Sequence, residues 1–583
     1  MREVVMEELS RSLKGRIAIR TFKITADALL LRGHYRISGP SGQTMENALR
    51  TLSPEIYGVM NDPRTIDLNG LEYVLDRLPR GIEQCSRIVL TAQEELDSTS
   101  FERIIPPKRR RVSYRVGESE MCFVITRGLS EIYDILTHLT FLHIEARKIA
   151  QQMRDAEGNP AQVWKELEHV LTQPEELRGK DLDHALWNLS LLLGRTFHET
   201  KESYESFEAS RREHQANNGL LRLIWDLGKL MDNEMNRAHD LTVLFTPVLG
   251  HIVLNQVYGK KWAKRLWNTL IHHHLQERPL HIISANLHSV LNTLYAYAAA
   301  PPDVRDQFRG DFYGLIQACR DRGLPIESFA SEHGSMFLPD ESGTQIDCQL
   351  IDTAAIADLP LHPELRFSID ALPDPKPVIL VMDYAFGTQA FEVMDELLDP
   401  AAGDVRVSPS PVRSISIMGK AGTICGNKGD IMLATAHVLE GLPHNYIVEN
   451  DLSREDFAAD IDVHTGPIIT VLGTSLQNRD VLERFQKTSW KAVGLEMEGG
   501  HYQQAISAAI IRGHIPRDVK VRYAYYASDN PLVSGQTLAS GSMGAAGIRP
   551  TYMITKVILE RILGGRSLVT GISTEQESPS KLP

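Results

Sequence analysis

The stretch Val378-Ile-Leu-Val-Met-Asp-Tyr-Ala-Phe-Gly387-Thr388-Gln389 decides the fold predicted for the C-terminal third of the chain. Val378–Met382 is a short apolar run of strand-forming residues, Asp383–Gly387 is a turn, and Gln389–Leu398 has the apolar spacing of a helix. A turn between a strand and a helix presents backbone N–H groups to which anions bind well. Because such units are common, this one alone predicts structure and not function.

The same alternation continues towards the C-terminus. Further strands are predicted at Ser414–Met418, Asp430–Ala436, Ile468–Leu472 and Val519–Ala527, and further helices at Glu498–Arg512 and Tyr552–Leu563. Strands that alternate with helices indicate a central mixed, largely parallel sheet that is flanked by helices. We therefore expect an α/β domain over residues 377–567, followed by a disordered tail at 568–583.

The N-terminal part, residues 1–335, is predicted to be a large all-α domain. Apolar residues recur there at three- and four-residue intervals, as in Leu129–Met153, Leu182–Phe197, Gly219–Met231 and Lys260–His274. The apolar stretch Leu241–Val257 is too interrupted for a membrane span and is interpreted as a buried helix pair. Residues 336–376, rich in Pro and Asp, are expected to connect the two domains, with short strands at Gln349–Ile351 and Arg366–Ile369.

Composition limits the possible partners. The 583 residues carry a net charge of −13, which argues against non-specific nucleic-acid binding. The five cysteines have no metal-ligand spacing, and Met1–Lys14 lacks the apolar core of a signal peptide. We expect a cytoplasmic protein with no metal, no cofactor and no membrane partner. The basic run Lys108–Arg111 is interpreted as a solvated loop, with binding of an anionic partner as the alternative.

Three further segments place reactive side chains near the ends of predicted strands. Gly419-Lys420-Ala-Gly422 allows a backbone to approach a ligand, although a plain loop with a solvated lysine explains it equally well. In Gly494-Leu-Glu496-Met497-Glu498-Gly-Gly500, carboxylates two residues apart would point to the same side of an extended segment. A carboxylate there could accept hydrogen bonds from a ribose diol. A helix N-terminus enriched in Glu is the alternative.

The last of these segments is Ala527-Ser528-Asp529-Asn530-Pro531, directly after a strand-forming run. An Asp in a crevice walled by aromatic residues could have a raised pKa and act as an acid towards a ring nitrogen. An Asx turn before Pro531 is the more ordinary interpretation.

In order and spacing these segments resemble the purine nucleoside phosphorylase/nucleosidase superfamily, and within it AMP nucleosidase and the methylthioadenosine/S-adenosylhomocysteine nucleosidases. The resemblance covers the C-terminal third of the chain. Its elements are the strand and turn at Gly387, the turn Gly419–Gly422 with Gly429-Asp430 downstream, the segment His464–Asn478, the Glu-Met-Glu at Glu496–Glu498, and Ser528-Asp529.

The resemblance implies roles for individual residues. Asp529 would protonate or hydrogen-bond N7 of the leaving purine, and Glu498 would hold the ribose hydroxyls. Leu476 occupies the place where the family stacks an aromatic residue on the base, and Met497 would pack under the sugar. The remaining residues that it places around the substrate are Glu496, Ser475, Gln477, Ser528, Lys420, Gly419, Gly387 and Thr388.

Departures from the family pattern shape the predicted reaction. Phosphorylases have an Arg in the strand before the Gly-x-x-Gly turn, and Ser414–Met418 has none. This favours hydrolysis, or a nucleotide whose own phosphate sits at Lys420. No residue can be assigned as the water-binding Glu that the nucleosidases carry near their N-terminus.

We therefore predict cleavage of the N-glycosidic bond of a purine nucleoside or nucleotide, with hydrolysis favoured over phosphorolysis. One alternative is a phosphate-dependent phosphorylase, for which phosphate would be a second ligand. The other is a degenerate nucleoside- or nucleotide-binding module that acts as a sensor for the helical domain. We expect a homo-oligomer.

Overall fold

The structure is a computed structural model that describes residues 10–92, 95–109, 111–172, 177–236, 240–533 and 543–564. The predicted tail at 568–583 lies outside these ranges. Helices and strands are mixed along the whole of the described chain. The predicted division of the chain into domains remains a prediction.

The N-terminal part contains a mixed sheet as well as helices. Its strands are β1 (His34–Arg36), β2 (Arg87–Thr91), β3 (Glu102–Ile104), β4 (Val112–Gly117), β5 (Glu120–Val124) and β6 (Thr242–Phe245). Its helices are α1 (Arg11–Arg32), α2 (Pro40–Leu52), α3 (Leu68–Leu75), α4 (Gly128–Gln152), α5 (Gln162–Thr172), α6 (Gly179–Leu193), α7 (Phe197–His214), α8 (Leu220–Met235) and α9 (Pro247–Leu254). Within the described ranges the strands lie in the order β1-β6-β2-β5-β4-β3.

The prediction of an all-α N-terminal domain is therefore wrong. The strands there are short, from three residues in β1 to six in β4, so their two-residue periodicity is hidden between long amphipathic helices. The predicted helix pair at Leu241–Val257 is also wrong, because this stretch begins with β6. Its helix, α9, starts after Thr246, whose side chain accepts a hydrogen bond from the N–H of Leu249.

The large sheet contains the strands of the C-terminal part and one strand from further upstream. Its strands are β7 (Leu280–Ser284), β8 (Ser335–Leu338), β9 (Cys348–Asp352), β10 (Val378–Met382), β11 (Val412–Thr423), β12 (Ile431–Leu439), β13 (Asn445–Ile447), β14 (Val463–Thr470), β15 (Gly494–Glu496) and β16 (Lys520–Asp529). In the described chain the order is β13-β12-β14-β15-β11-β7-β10-β9-β8, and β16 pairs with both β11 and β12. Strands β11, β16, β12, β14 and β15 thus form a closed ring.

The strands predicted after Pro377 are confirmed, and so is the short strand at Gln349–Ile351, which is part of β9. The strand predicted at Arg366–Ile369 is wrong, since these residues form turns and irregular backbone. Strand β7 was not predicted. It lies parallel to and between β10 and β11, although it comes from the part of the chain predicted to be all-α.

Helices cover both faces of the large sheet. They are α10 (Val257–His272), α11 (Leu287–Ala299), α12 (Pro302–Gln307), α13 (Phe312–Asp321), α14 (Ile326–Glu332), α15 (Gln389–Leu397), α16 (Arg479–Lys487), α17 (Gly499–Arg512) and α18 (Ile548–Leu563). Successive residues of β10 alternate between two apolar clusters. Val378, Leu380 and Met382 pack with α10, α15 and α17, whereas Ile379 and Val381 pack with α11, α13 and α18. A strand buried on both faces explains the uninterrupted apolar run in the sequence.

None of the helices in the described part of the chain combines the length and the apolar content that crossing a membrane requires.

Candidate active site

Glu496 ends β15 and holds the start of α17. Its side chain is buried, and one oxygen accepts hydrogen bonds from the backbone N–H groups of Glu498 and Gly499. The other oxygen accepts a hydrogen bond of 2.6 Å from Thr470 Oγ1 and lies 3.5 Å from His437 Nδ1. Burial alone would raise the pKa of Glu496, but His437 and these donors together lower it. Both oxygens of this carboxylate are therefore used by the protein itself.

Glu498, two residues further on, lies in a different environment. Its carboxyl group is partly buried and accepts hydrogen bonds from the N–H of Gly387, at 2.9 Å, and of Met497, at 3.3 Å. Burial, and then the charge of Glu496, raise the pKa of Glu498 to about 8. At neutral pH this group is mostly protonated, so it can both donate and accept hydrogen bonds.

Gly387 lies in the turn between β10 and α15, with a φ of 56° that favours glycine. A side chain at this position would collide with the hydroxyl of Ser130, which is in α4 of the N-terminal part. The next residue, Thr388, donates from its N–H to Ser130 Oγ at 2.9 Å, and its own hydroxyl lies 3.2 Å from the same atom. The turn is thus held between Glu498 on one side and α4 on the other.

Asp529 is the last residue of β16 and is 2% exposed. Ser528 Oγ donates a hydrogen bond to Asp529 Oδ1, while Oδ2 is buried and has no partner among the described residues. Burial raises the pKa of Asp529, and Ser528 and the positive charge of Lys420 oppose that shift only in part. The group is an acid with one oxygen that no group in the described part of the chain contacts by a hydrogen bond.

The turn predicted at Gly419–Gly422 is wrong, because pairing with β16 continues β11 through these residues to Thr423. Lys420 and its neighbour Gly419 lie at the carboxyl end of the parallel strands. Gly419 is placed against the ring of Tyr384, which follows β10. Lys420 is exposed and lines a cavity of about 950 Å³, together with Asn286 after β7 and Tyr526 of β16. In open α/β sheets this edge is where ligands are usually bound.

Met497 connects the two acidic positions through an apolar cluster. Phe386, which precedes Gly387, and Leu532, which follows Asp529, pack against the cluster to which Met497 belongs. The structure therefore brings together Glu498, Met497, Gly387 and the segment after Asp529. Their assignment to one substrate site stays a prediction.

The segment Thr474–Gln477, which was expected to surround the base of the substrate, packs against the N-terminal part instead. Leu476 is 2% exposed and belongs to the hydrophobic core of the N-terminal part, so its side chain offers no face for a base to stack on. Ser475 is buried and hydrogen-bonds to Tyr57. The side-chain amide of Gln477 is buried, and neither its oxygen nor its nitrogen has a hydrogen-bond partner in the part of the chain described.

The N-terminal part holds this segment along its length. Tyr73 lies with its hydroxyl 3.4 Å from Thr474 Oγ1, and the N–H of Glu55 donates to the carbonyl of Gln477 at 3.0 Å. The side chain of Asn478 donates to the carbonyl of Leu52 at 2.8 Å. These contacts join residues some 400 positions apart in the chain, and no local sequence signal indicates them.

A residue that could activate water was not found from sequence. The strand that lies between β10 and β11 is β7, and it is followed by Asn286 and His288, which line the cavity beside Lys420. Burial lowers the pKa of His288, and the carboxylate of Asp383, at the end of β10, opposes this shift. Asp383, which directly follows β10, is thus an acidic group at this edge of the sheet.

The chain matches one family model, over residues 43–304 and 317–564, described as a family of unknown function, DUF6909. A search of curated proteins found no match. Among solved structures, futalosine hydrolase of Helicobacter pylori strain 26695 is similar at 11% identity and a TM-score of 0.28, covering 49% of this chain and 97% of that one.

Two nucleosidases give comparable values. The 5'-methylthioadenosine/S-adenosyl homocysteine nucleosidase of Campylobacter jejuni has 9% identity and a TM-score of 0.29, over 48% of this chain and 97% of its own. AMP nucleosidase from Bacteroides thetaiotaomicron VPI-5482 has 11% identity and a TM-score of 0.26, over 52% and 98%. TM-scores this low leave the function to be inferred from the site itself.

Proposed function

The chain belongs to the family of unknown function DUF6909, and we propose that it cleaves the N-glycosidic bond of a purine nucleoside or nucleotide by hydrolysis. The observation that carries this proposal is Asp529, a buried acid whose Oδ2 has no partner in the described chain and whose pKa is raised. A carboxyl group whose pKa is raised holds its proton more readily and can donate that proton to a leaving base. Glu498, an acid with a raised pKa of its own, supports the same interpretation.

In this mechanism Asp529 donates its proton to N7 of the purine as the bond from the base to C1′ breaks. The electron pair of that bond stays with the base, and the sugar becomes oxocarbenium-like. Glu498 holds the ribose hydroxyls, and Met497 packs beneath the sugar. Water then adds to C1′ and gives up a proton to the carboxylate of Asp383, which restores a neutral sugar. Exchange with solvent carries a proton from Asp383 back to Asp529. The site accelerates the reaction by improving the leaving group and stabilising the cation.

Hydrolysis is favoured over phosphorolysis because Ser414–Met418, the segment of β11 before Gly419–Gly422, contains no arginine for an attacking phosphate. Asp383 is the group that we propose to orient the water. It follows β10 at the same edge of the sheet as Asn286 and His288, and its charge acts on the imidazole of His288.

The test is to incubate the purified protein with adenosine, AMP, inosine and guanosine, with and without phosphate, and to measure free base by chromatography. Base release without phosphate is expected from at least one of these compounds. Release that requires phosphate would replace hydrolysis by phosphorolysis. If no compound loses its base, the enzymatic proposal fails.

A binding module remains the second candidate, and one observation favours it. The N-terminal part holds Thr474–Gln477 through Tyr57, Tyr73 and Glu55, so occupancy of the site could be transmitted to that part. Tight binding of a nucleoside or nucleotide without release of base, measured by calorimetry on the same samples, would support this function instead.

A further inference from the structure

A cluster of arginines from the N-terminal part lies beside the proposed site. Arg77 is 6% exposed, Arg111 is 2% exposed and the side chain of Arg109 is 18% exposed. The nearby acidic groups include Glu131 and Asp134, both in α4, and Asp76, whose charge acts on Arg77. Because Arg111 is buried, the prediction of a solvated loop at Lys108–Arg111 is wrong for this residue.

Two of the arginines, Arg109 and Arg111, form ion pairs with the carboxylates of α4. Arg111 contacts Glu131 Oε1 at 3.3 Å and Asp134 Oδ2 at 2.8 Å, and Arg109 contacts the same Asp134 oxygen at 3.2 Å. Arg77 has no carboxylate at ion-pair distance among the residues that the structure describes. The charges of Asp134 and Asp76 act on Arg77 only from beyond that distance, so its guanidinium group is buried without a direct ion pair in the described chain.

The guanidinium group of Arg77 also keeps an unused donor. Its Nη1 donates to the carbonyl of Tyr73 at 2.8 Å, and the group stacks 3.5 Å from the centre of the Tyr73 ring. Its Nε is buried and has no hydrogen-bond partner within the described residues. Burial and the charge of Arg109 lower the pKa of Arg77. A buried guanidinium group without a direct ion pair is costly unless an anion is bound beside it.

The position of the cluster relates this charge to the proposed site. The hydroxyl of Tyr73 lies 3.4 Å from Thr474 Oγ1, at the start of the segment that the resemblance assigns to base binding. On the other side, Arg109 lies 5.6 Å from the centre of the Phe386 ring. Phe386 directly precedes Gly387, whose N–H donates to Glu498. Arg77 and Arg109 thus lie between two segments of the proposed site.

We propose that Arg77 and Arg109, with the hydroxyls of Tyr73 and Thr474, form a binding subsite for a phosphate dianion. A guanidinium group matches the oxygens of a phosphate with paired N–H donors, and a dianion would give Arg77 the ion pair and the acceptor for Nε that it lacks in the described chain. The phosphate could be the ester of a nucleotide substrate or free inorganic phosphate. This inference rests on the proposed function, because it assigns the phosphate to the same site.

Calorimetry on the full chain tests the subsite with AMP, adenosine and inorganic phosphate as probes. AMP is expected to bind at least tenfold more tightly than adenosine. Arg77→Gln and Arg109→Gln are each expected to remove most of that difference, while Arg77→Lys, which keeps the charge, retains part of it. Arg322→Gln, at an exposed arginine that pairs with Asp303, is the control and should change nothing. Equal affinity of the unmodified protein for AMP and adenosine, together with no effect of inorganic phosphate on the binding of adenosine, would overturn the subsite, whichever variants fold.

The source of the phosphate follows from the same probes. If it is the ester, AMP binds tightly and inorganic phosphate competes with AMP. If it is the free ion, inorganic phosphate instead strengthens the binding of adenosine, and Arg109→Gln abolishes this effect. Binding of phosphate that Arg77→Gln and Arg109→Gln both leave unchanged would place the ion elsewhere and contradict the proposal.

Failure of the subsite and failure of the proposed function are distinguishable. Base release at equal kcat/KM from adenosine and AMP, in unmodified protein and both variants, would leave the function standing and remove the subsite. Loss of AMP binding in the variants without base release from any compound would leave the subsite and remove the enzymatic function.

Discussion

The two ends of the proposed site differ in what the protein leaves available. At the sheet edge, Asp529 keeps a buried oxygen that has no partner among the residues the structure describes, and Glu498 is a protonated acid that is only partly buried. At the segment Thr474–Gln477, the N-terminal part takes up the side chain of Leu476 and the hydroxyl of Ser475. The chemistry is therefore expected at the sheet edge, whereas the other end is shaped by a part of the chain that precedes it by some 400 residues.

The largest expected effect comes from Asp529→Asn. An amide cannot donate a carboxylic proton to the leaving base, so base release should fall by about 100-fold to 10,000-fold while the fold is retained. Rates of base release and the far-UV circular dichroism spectrum check this. Asp370→Asn, at an exposed aspartate, is the matched control. Unchanged activity of Asp529→Asn would mean that the sheet edge does not carry the chemistry.

The second prediction concerns the pH dependence of stability at Glu498. Its pKa is raised to about 8 from an unfolded value near 4.5, so the folded state holds the proton more tightly than the unfolded state. Its contribution to the free energy of unfolding is complete below pH 4.5 and is lost as the pH rises through 8. By linkage the effect is at most about 5 kcal/mol.

Glu498→Gln removes this titration. Relative to the unmodified protein, the variant should be equally stable at pH 4.5 and more stable at pH 9, as measured by thermal unfolding at both values. Glu341→Gln, at an exposed glutamate paired with Arg265, should follow the unmodified protein at both. A Glu498→Gln variant that loses stability on going to pH 9 as steeply as the unmodified protein would rule out the raised pKa.

The third prediction asks whether the Thr474–Gln477 end still contacts the base. The amide of Gln477 is buried and without partners in the described chain, so Gln477→Leu should not destabilise the fold. If the amide hydrogen-bonds to the base, the ratio of kcat/KM for adenosine and inosine should change by about tenfold. Gln317→Leu, at a surface position on α13, is the control. An unchanged ratio would restrict base recognition to the sheet edge.

The smallest expected effect is that of Tyr57→Phe. This change removes the hydroxyl that bonds to Ser475 and lies 3.1 Å from His138 Nδ1. Losing a buried hydrogen bond of this kind costs about 1 kcal/mol. If the segment positions the base, KM should rise roughly fivefold with little change in kcat.

Tyr295→Phe is the control for this prediction. The hydroxyl of Tyr295 donates a hydrogen bond to the carbonyl of His333, and both residues are distant in sequence from Thr474–Gln477. It should lower stability by a similar amount and leave KM unchanged. Equal effects of the two variants on KM would show that Tyr57 acts on stability alone.

The strands of the C-terminal part were predictable because each is buried on both faces and reads as an apolar run. Val378–Met382 is such a run, and glycine or aspartate follows most of the others. Strand β7 and the short N-terminal strands were missed, since runs such as Leu280–Ser284 are too short to separate from the apolar faces of neighbouring helices.

The sequence by itself determined which residue types meet at the sheet edge: two glutamates two residues apart, a Ser-Asp pair after a strand, and glycines where the backbone must turn. Only the tertiary structure decided what these groups can do. The carboxylate of Glu496 accepts hydrogen bonds from Thr470 and from the start of α17, whereas Glu498 is a protonated acid with a pKa of about 8.

The local sequence pattern could not predict these properties of Glu496 and Glu498, for a physical reason. The pKa and the free hydrogen-bonding capacity of a side chain depend on burial and on charges that arrive from distant parts of the chain. Ser130, which packs against Gly387, and Tyr57, which hydrogen-bonds to Ser475, are examples of groups that only the fold brings to the site. They make the N-terminal part a wall of the proposed site.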